Sequence, residues 1–454
     1  MITTHRLRAT AACAAVVAGL AFASGSAAAQ SVSESEVVRR LDQLTAELAS
    51  VKAELAQLRR ERGQTPAQAQ GQVQAQSQVQ SQAPSPSPSE PASAAAAGPQ
   101  GPGLLAEPST VLTSYGEINY NRPTHDSKNA VADVRRFVLG YQHRFDEKTK
   151  VVTELEVEHA VSSADDRGEV EVEQAYLERQ LSRTWAARAG LFLIPAGLLN
   201  ENHEPTAFYG VERNFVETAI IPSTWREGGL QVVGSYDNGI TTQLGVSTGF
   251  DLNKWDANSS EGAESPLGSI HQELSLAKAH DASVFGALNW RGVPGLLVGG
   301  SIFTGGATQG QSPERARVTL WDLHARYTPG RWDLSGLYSR GTISNTAALN
   351  TPLIGSTTLI PASFDGWYAQ AAYRVWSNAD YSLAPFARWE QFNTARSFAA
   401  LGAGLSPQAA RTEAVATVGA NFMIGSGIVL KADYQRFRLN RDADRFDLGL
   451  GWSF

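Results

Sequence analysis

From about residue 111 to the C-terminus the chain alternates apolar and polar side chains with a period of two, a pattern that only extended strands with two unlike faces satisfy. In the stretch 151–159, Val151, Thr153, Leu155 and Val157 share one face, while Glu154, Glu156 and Glu158 share the other. Later stretches repeat it. Thr319, Trp321, Leu323, Ala325 and Tyr327 oppose Asp322, His324 and Arg326; Trp367, Ala369, Ala371 and Tyr373 oppose Tyr368, Gln370 and Arg374. Ile428, Leu430, Ala432 and Tyr434 oppose Lys431, Asp433 and Gln435, and the terminal Phe446, Leu448, Leu450, Trp452 and Phe454 oppose Asp447, Gly449, Gly451 and Ser453.

Sixteen such segments begin near residues 111, 134, 150, 169, 184, 226, 239, 270 to 281, 295, 316, 331, 363, 381, 411, 427 and 444. The connections alternate in length. Tight ones (DEKT, Asp237-Asn238-Gly239, RGVPG, TPGR, SNAD and GSG) follow the even segments, and mostly longer ones follow the odd. Short turns on one side and long loops on the other are the rhythm of an outer-membrane barrel. The pattern therefore predicts an all-β fold, a sixteen-stranded antiparallel transmembrane β-barrel over 111–454. A soluble β-sandwich would show the same alternation with its apolar face buried. Against it stand an export signal, aromatic residues near strand ends (Tyr327, Trp332, Trp376, Tyr381, Trp389 and Trp452) and a terminal Phe454.

The export signal occupies residues 1–29. Arg6 and Arg8 precede an apolar run from Ala9 to Ala23, and small residues lead to a cleavage site after Ala29. No later stretch is apolar for long enough to span a bilayer as a helix. The only cysteine, Cys13, lies within this leader, and its removal with Arg6 and Arg8 takes the formal charge from −7 to −9, which argues against nucleic acid as a partner. Val37, Leu41, Leu44, Leu48, Val51, Leu55 and Leu58 are spaced by four and three, predicting a periplasmic coiled coil over 34–61. A single docked amphipathic helix is the plainer alternative. Residues 62–103, rich in Gln, Ala, Pro and Ser, read as a flexible linker.

One connection stands apart. Residues 195–225, after the fifth segment, form a long stretch of mixed aromatic and charged character, and loops of that length are usually functional. Glu201, Glu204, Glu212, Arg213, Glu217, Arg226 and Glu227 are its candidate selectivity charges, because an ion that sheds hydration must find partners in the wall. Candidate lumen-wall charges are Glu154, Glu156, Glu158, Arg188, Arg326, Arg374, Arg388 and Lys431, with Arg136, Asp322 and Glu390. The bland reading of each is a wall ion pair that braces the barrel.

The run IPAGLLNENHEPTAFYGVERNFVETAIIPSTWREGG from Ile194 resembles the signature region of the phosphate-selective porin O/P family. So do VTELEVEHA (152–160), PFARWEQFNT (385–394) and VLKADYQRF (429–437). The similarity spans most of 111–454. It implies a homotrimeric outer-membrane porin of a Gram-negative bacterium, with the third outside loop folded inward as a constriction and the N-terminal segment in the periplasm. Its partners would be outer-membrane lipid and small hydrophilic solutes or inorganic ions, phosphate among them. That family lines its pore with Arg and Lys, whereas the loop charges here are five Glu against two Arg, and Glu154, Glu156, Glu158, Asp322 and Glu390 stand against the wall arginines.

No catalytic residue, metal site or cofactor is expected. Gly245-Val246-Ser247-Thr248-Gly249 fits G-x-S-x-G but sits inside an alternating strand instead of at a strand-to-helix turn. His203-Glu204 lacks a second histidine at helical spacing for a zinc site. The leading expectation is a passive diffusion channel. A structural anchor, tethering the outer membrane to a periplasmic layer through the coiled coil, is the alternative.

Overall fold

The computed structural model describes residues 109–163 and 166–454. The leader 1–29, the coiled coil expected over 34–61 and the linker 62–103 lie outside the described residues. The strands are β1 (Ser109–Pro123), β2 (Val131–Arg144), β3 (Thr149–Glu158), β4 (Glu169–Gln180), β5 (Trp185–Leu193), β6 (Arg226–Ser235), β7 (Ile240–Ser247) and β8 (Ser283–Trp290). They continue as β9 (Leu296–Gly306), β10 (Arg317–Tyr327), β11 (Trp332–Ile343), β12 (Ser363–Tyr373), β13 (Trp376–Ser377), β14 (Tyr381–Ser397), β15 (Glu413–Ile424), β16 (Ile428–Phe437) and β17 (Arg445–Ser453). The two-residue β13 only extends the turn that joins β12 to β14, which pair directly, so the wall has sixteen staves.

Each stave pairs antiparallel with the next, and β1 pairs with β17 from Tyr115↔Ser453 to Pro123↔Arg445. The sheet is closed. Reciprocal bonds between Ser114 and the terminal Phe454 (3.0 and 2.9 Å) lock the seam. Closure abolishes free strand edges, the only way a sheet can cross lipid with every backbone group paired. Strand starts follow the sequence expectation except at β8, expected between 270 and 281 and found at Ser283. The next largest difference is Val131 against 134.

Alternation now has a direction. Leu139, Leu155, Leu177, Leu230, Leu244, Leu288, Ile302, Leu323, Leu334, Val418, Leu430 and Leu448 all point outward and are exposed. So extensive an apolar surface is explained by contact with lipid. Near the tight-turn ends lie outward-facing aromatics, with Trp332 against Tyr373 (ring centroids 4.8 Å) and Tyr381 against Phe422 (5.8 Å), the belt expected at a membrane–water interface. Trp389 differs from expectation. It faces outward from the middle of β14, the longest stave, not from its end.

The lumen is not filled evenly. Against the inner face of β8 to β12, apolar residues of three long connections pack into a core of their own. Val216, Ile220, Ile221 and Trp225 come from 194–225, Phe250, Leu252, Trp255, Leu267 and Ile270 from 248–282, and Ile360 from 344–362. Phe285, Phe303, Leu320, Leu337 and Phe364 meet them from the wall. Trp225 lies 4.5 Å from Phe303 and 5.2 Å from Phe250 between ring centroids. The inner face of β3 and β4 is of the opposite character, lined by Glu154, Glu156, Glu158, Glu169, Glu171 and Glu173.

Candidate functional site

The connection 194–225, the third on the long-loop side, enters the lumen and is fastened to the wall around most of its circumference. Its neck is closed by Asn200, whose amide donates to Ile194 O (2.7 Å) and Trp225 O (2.8 Å) and accepts from Trp225 N (2.7 Å). Gly197 N donates to Asp322 of β10 (3.1 Å), and Gln243 of β7 donates to Glu201 (2.9 Å). Thr206 bonds Ser453 of β17 (2.7 Å), Asn421 of β15 donates to Phe208 O (3.0 Å), and Val211 N donates to Asp433 of β16 (2.6 Å). Asn121 of β1 donates to Glu212 (3.1 Å), Arg388 of β14 to Tyr209 O (3.2 Å), and Phe215 N to Glu390 of β14 (2.6 Å). Three of the wall's carboxylates, Asp322, Asp433 and Glu390, therefore serve as acceptors for loop amides.

Inward glycines make room. A Cβ on Gly451 would lie 2.4 Å from Pro205, and one on Gly449 would lie 3.2 Å from Val211. The Gly positions on the last strand are thus where the loop rests. Gly197 (φ +70°) sits so close to Glu217 that a Cβ there would come 2.4 Å from its Oε1.

The seven loop charges divide by environment. Glu217 is buried and organises the loop. Its carboxylate accepts from Leu198 N (2.5 Å), Leu199 N (2.7 Å), Asn214 (2.9 Å) and Tyr368 OH of β12 (2.9 Å). Burial pushes its pKa up, against those hydrogen bonds. Arg213 is buried between Ser223, Thr224 Oγ1 (3.4 Å) and His203 O (3.3 Å), and desolvation lowers its pKa to about 10. Arg226 bridges Glu171 and Glu273 (3.1 Å), and Glu227 is held by Trp225 Nε1 (3.2 Å) and Thr248 (2.5 Å). Those four brace the loop. Glu201, Glu204 and Glu212 are the three left partly exposed. Among the described residues the Glu204 side chain has no hydrogen-bond or ion-pair partner. Burial tends to raise the Glu212 pKa, but the nearby Arg445 and Arg135 guanidiniums and Asn121 outweigh it and hold this carboxyl below its usual range.

The wall charges divide likewise. Arg188 pairs with Glu178 (2.7 Å) and lies 5.2 Å from the centre of the Tyr176 ring. Arg326 grips Asp333 with two bonds (3.0 and 2.6 Å), and Arg388 pairs with Glu390 (3.0 Å). Arg136 joins Glu117 (2.9 Å) to Glu156 (3.4 Å). Lys431 is buried with its Nζ 3.4 Å from the centre of the Phe208 ring and without a hydrogen-bond partner. Arg374 lies just past β12 in the exposed connection. Glu154 accepts from Gln174 (2.5 Å), while Glu158 has no polar partner among the described residues.

One cluster was not singled out in the sequence. His203 Nδ1 donates to Asn200 O (2.9 Å), and its Nε2 lies 2.8 Å from Glu173 of β4 and 2.6 Å from Tyr115 OH of β1. Tyr115 OH donates to the other Glu173 oxygen (2.8 Å). Both ring nitrogens thus face acceptors, which suits the imidazolium. Burial disfavours that charge, yet the Glu173 carboxylate outweighs it and raises the His203 pKa. A raised folded-state pKa means that this latch stabilises fully below the unfolded value of about 6.5 and is lost as pH rises through the folded value. The wild-type melting temperature should fall from pH 7 to 9 by more than that of His203→Gln. Parallel pH profiles for the two proteins would show that the latch carries no such linkage.

Ser247, the serine of the G-x-S-x-G match, ends β7 with its hydroxyl donating to Thr248 O (2.7 Å), and a loop follows it. His203 belongs to the latch.

Sixteen staves and a closed register define a transmembrane β-barrel, and its third long connection is held within the lumen. No family model matches the chain. It is 27% identical over 355 residues to an uncharacterized protein of Aquifex aeolicus strain VF5, covering 76% of this chain and 79% of that one. Among solved structures it is similar to OmpF of Salmonella typhi in complex with daunomycin (13% identity, TM-score 0.49, 76% of this chain and 97% of that one). It is also similar to the outer membrane channel DcaP of Acinetobacter baumannii (12%, 0.47, 76% and 97%) and to a loop L8 deletion mutant of OmpT, an outer membrane protein of Vibrio cholerae (9%, 0.48, 76% and 99%). The barrel itself is established by this chain's own strand register.

Proposed function

We propose that the protein is an outer-membrane porin, a passive water-filled channel for small hydrophilic solutes and ions, with loop 195–225 as its constriction and a preference for cations. One observation carries this reading. The loop is fastened across a lumen wider than side chains alone can fill, and the partly exposed charges it offers are Glu201, Glu204 and Glu212. Glu154, Glu158 and Glu169 on the inner face of β3 and β4, which have no ion-pair partner among the described residues, add to the same sign of potential.

Selection of phosphate would call for guanidiniums free to fork onto an anion. Arg136, Arg188, Arg326 and Arg388 are each engaged by a carboxylate instead, and Lys431 is covered by Phe208. Passage of anions such as phosphate therefore has the family resemblance behind it and the charge arrangement against it. The homotrimer that the resemblance implies is checked by cross-linking in outer-membrane lipid.

Planar-bilayer recording tests the proposal. Stepwise ohmic conductance is expected, with a reversal potential of cation-selective sign in a potassium chloride gradient. A barrel that inserts and never conducts would sink the channel reading, and a reversal potential of anion-selective sign would sink the cation preference alone.

A further inference from the structure

The outward face of β10, β11, β12 and β14 carries a cluster that the channel does not use. Arg340 and Asp365 stand directly opposite each other on β11 and β12, both on the lipid-facing side, with Nη1 3.8 Å from Oδ2. Arg396, in the irregular upper part of β14, places its Nη1 3.8 Å from Asp365 Oδ1. Tyr338 OH also reaches Asp365 (3.5 Å), and Tyr338 packs against Trp321 with ring centroids 5.4 Å apart. Arg317, outward at the start of β10, reaches Thr304 (3.5 Å). Two guanidiniums share the Asp365 carboxylate and Arg317 stands beside them, which leaves the patch with two formal positive charges. The Arg340 and Arg396 side chains remain 41% and 52% exposed.

Their height in the wall matters. Arg340 lies eight positions beyond Trp332 and Arg317 ten from Tyr327, both of these aromatics being at the tight-turn end. At ~3.3 Å per residue and a tilt of ~40° those separations are about 20 and 25 Å along the barrel axis. The apolar band of such barrels is about 25 Å tall, so the arginines lie at its far edge, where a guanidinium meets headgroups and not acyl chains. Trp321 and Tyr338 beside them are the residue types that mark this boundary.

We propose that Arg340, Arg396 and Arg317 form a docking surface for the phosphorylated headgroup of an outer-leaflet lipid. The planar guanidinium fork matches phosphate oxygens in pairs, and two arginines tethered by one carboxylate are already oriented for it. Trp321, Tyr338 and Trp367 offer rigid apolar ground for the first part of the acyl chains.

The test is native mass spectrometry of the detergent-solubilised full chain titrated with lipid A, a bisphosphorylated glycolipid, and with its monophosphoryl form. Wild type should retain lipid A several-fold better than the monophosphoryl lipid. The double variant R340Q/R396Q should retain lipid A at least tenfold less well, and Arg317→Gln a few-fold less. Arg183→Gln, on the opposite rim, should match wild type. Retention unchanged in the double variant, an equal loss in R183Q, or complete displacement of lipid A by an equal concentration of inorganic phosphate would each overturn the proposal.

Discussion

Glu217→Ala is expected to release the loop 194–225 and raise the single-channel conductance of the proposed pore. The carboxylate gathers two backbone amides from one end of the loop, an asparagine within it and a tyrosine from the wall, so its removal leaves four donors without their acceptor in a dry setting. At about 1–3 kcal/mol for each buried group left unsatisfied, partly offset by entering water, the local loss is about 4 kcal/mol. That suffices to unseat a segment otherwise held by scattered single bonds. Arg213 should then become a site of trypsin cleavage in the folded barrel. Glu217→Gln, which keeps an oxygen for the Leu198 and Leu199 amides, should fall between wild type and alanine. A Glu217→Ala channel with wild-type conductance and a protected loop would show that the other fastenings suffice.

The second large effect concerns charge. Neutralising Glu201, Glu204 and Glu212 together, each to Gln, should move the reversal potential in a tenfold salt gradient toward the anion side. The shift should be roughly 20–30 mV out of the ~59 mV that ideal selectivity would give. Glu204→Gln should contribute the largest single share, because its carboxylate has no hydrogen-bond or ion-pair partner among the described residues, whereas Glu212 has Arg135 and Arg445 beside it. The shift should shrink at molar salt, where screening lengths fall to ~3 Å. If the triple variant retains the wild-type reversal potential, the selectivity filter lies elsewhere in the lumen.

The barrel was legible in the sequence because lipid and lumen impose opposite demands on neighbouring residues, and that demand repeats along every stave. Val151 to Glu158 shows it plainly, and the structure places those carboxylates inside. The eighth strand was misplaced for a related reason. Leu252, Trp255, Leu267 and Ile270 are apolar, as strand residues would be, yet they bury into a core formed by loops inside the barrel mouth, where no alternation is required. Periodicity cannot distinguish burial against lipid from burial against another loop.

The site was legible only in outline. Position after the fifth strand marked the loop, and its composition announced an acidic excess. Which carboxylates brace and which face water was not encoded locally: Glu204 and Glu217 look alike in sequence, and only the approach of Gly197, Asn214 and Tyr368 separates them. The Tyr115, Glu173 and His203 latch joins three residues distant in the chain. A lone histidine in a loop gave no signal beyond its type.

The apolar fill against β8 to β12 has an electrical consequence. Packed hydrocarbon polarises little, so field lines from the opposite carboxylate-lined face cannot spread into that half of the cross-section and are crowded into whatever water remains. A solute with a permanent dipole would cross this transverse field side-on and be turned by it, favouring orientations that present its positive end to β3 and β4. Such a barrel would sort neutral but polar molecules by how their charge is distributed, with no need for a dedicated binding site.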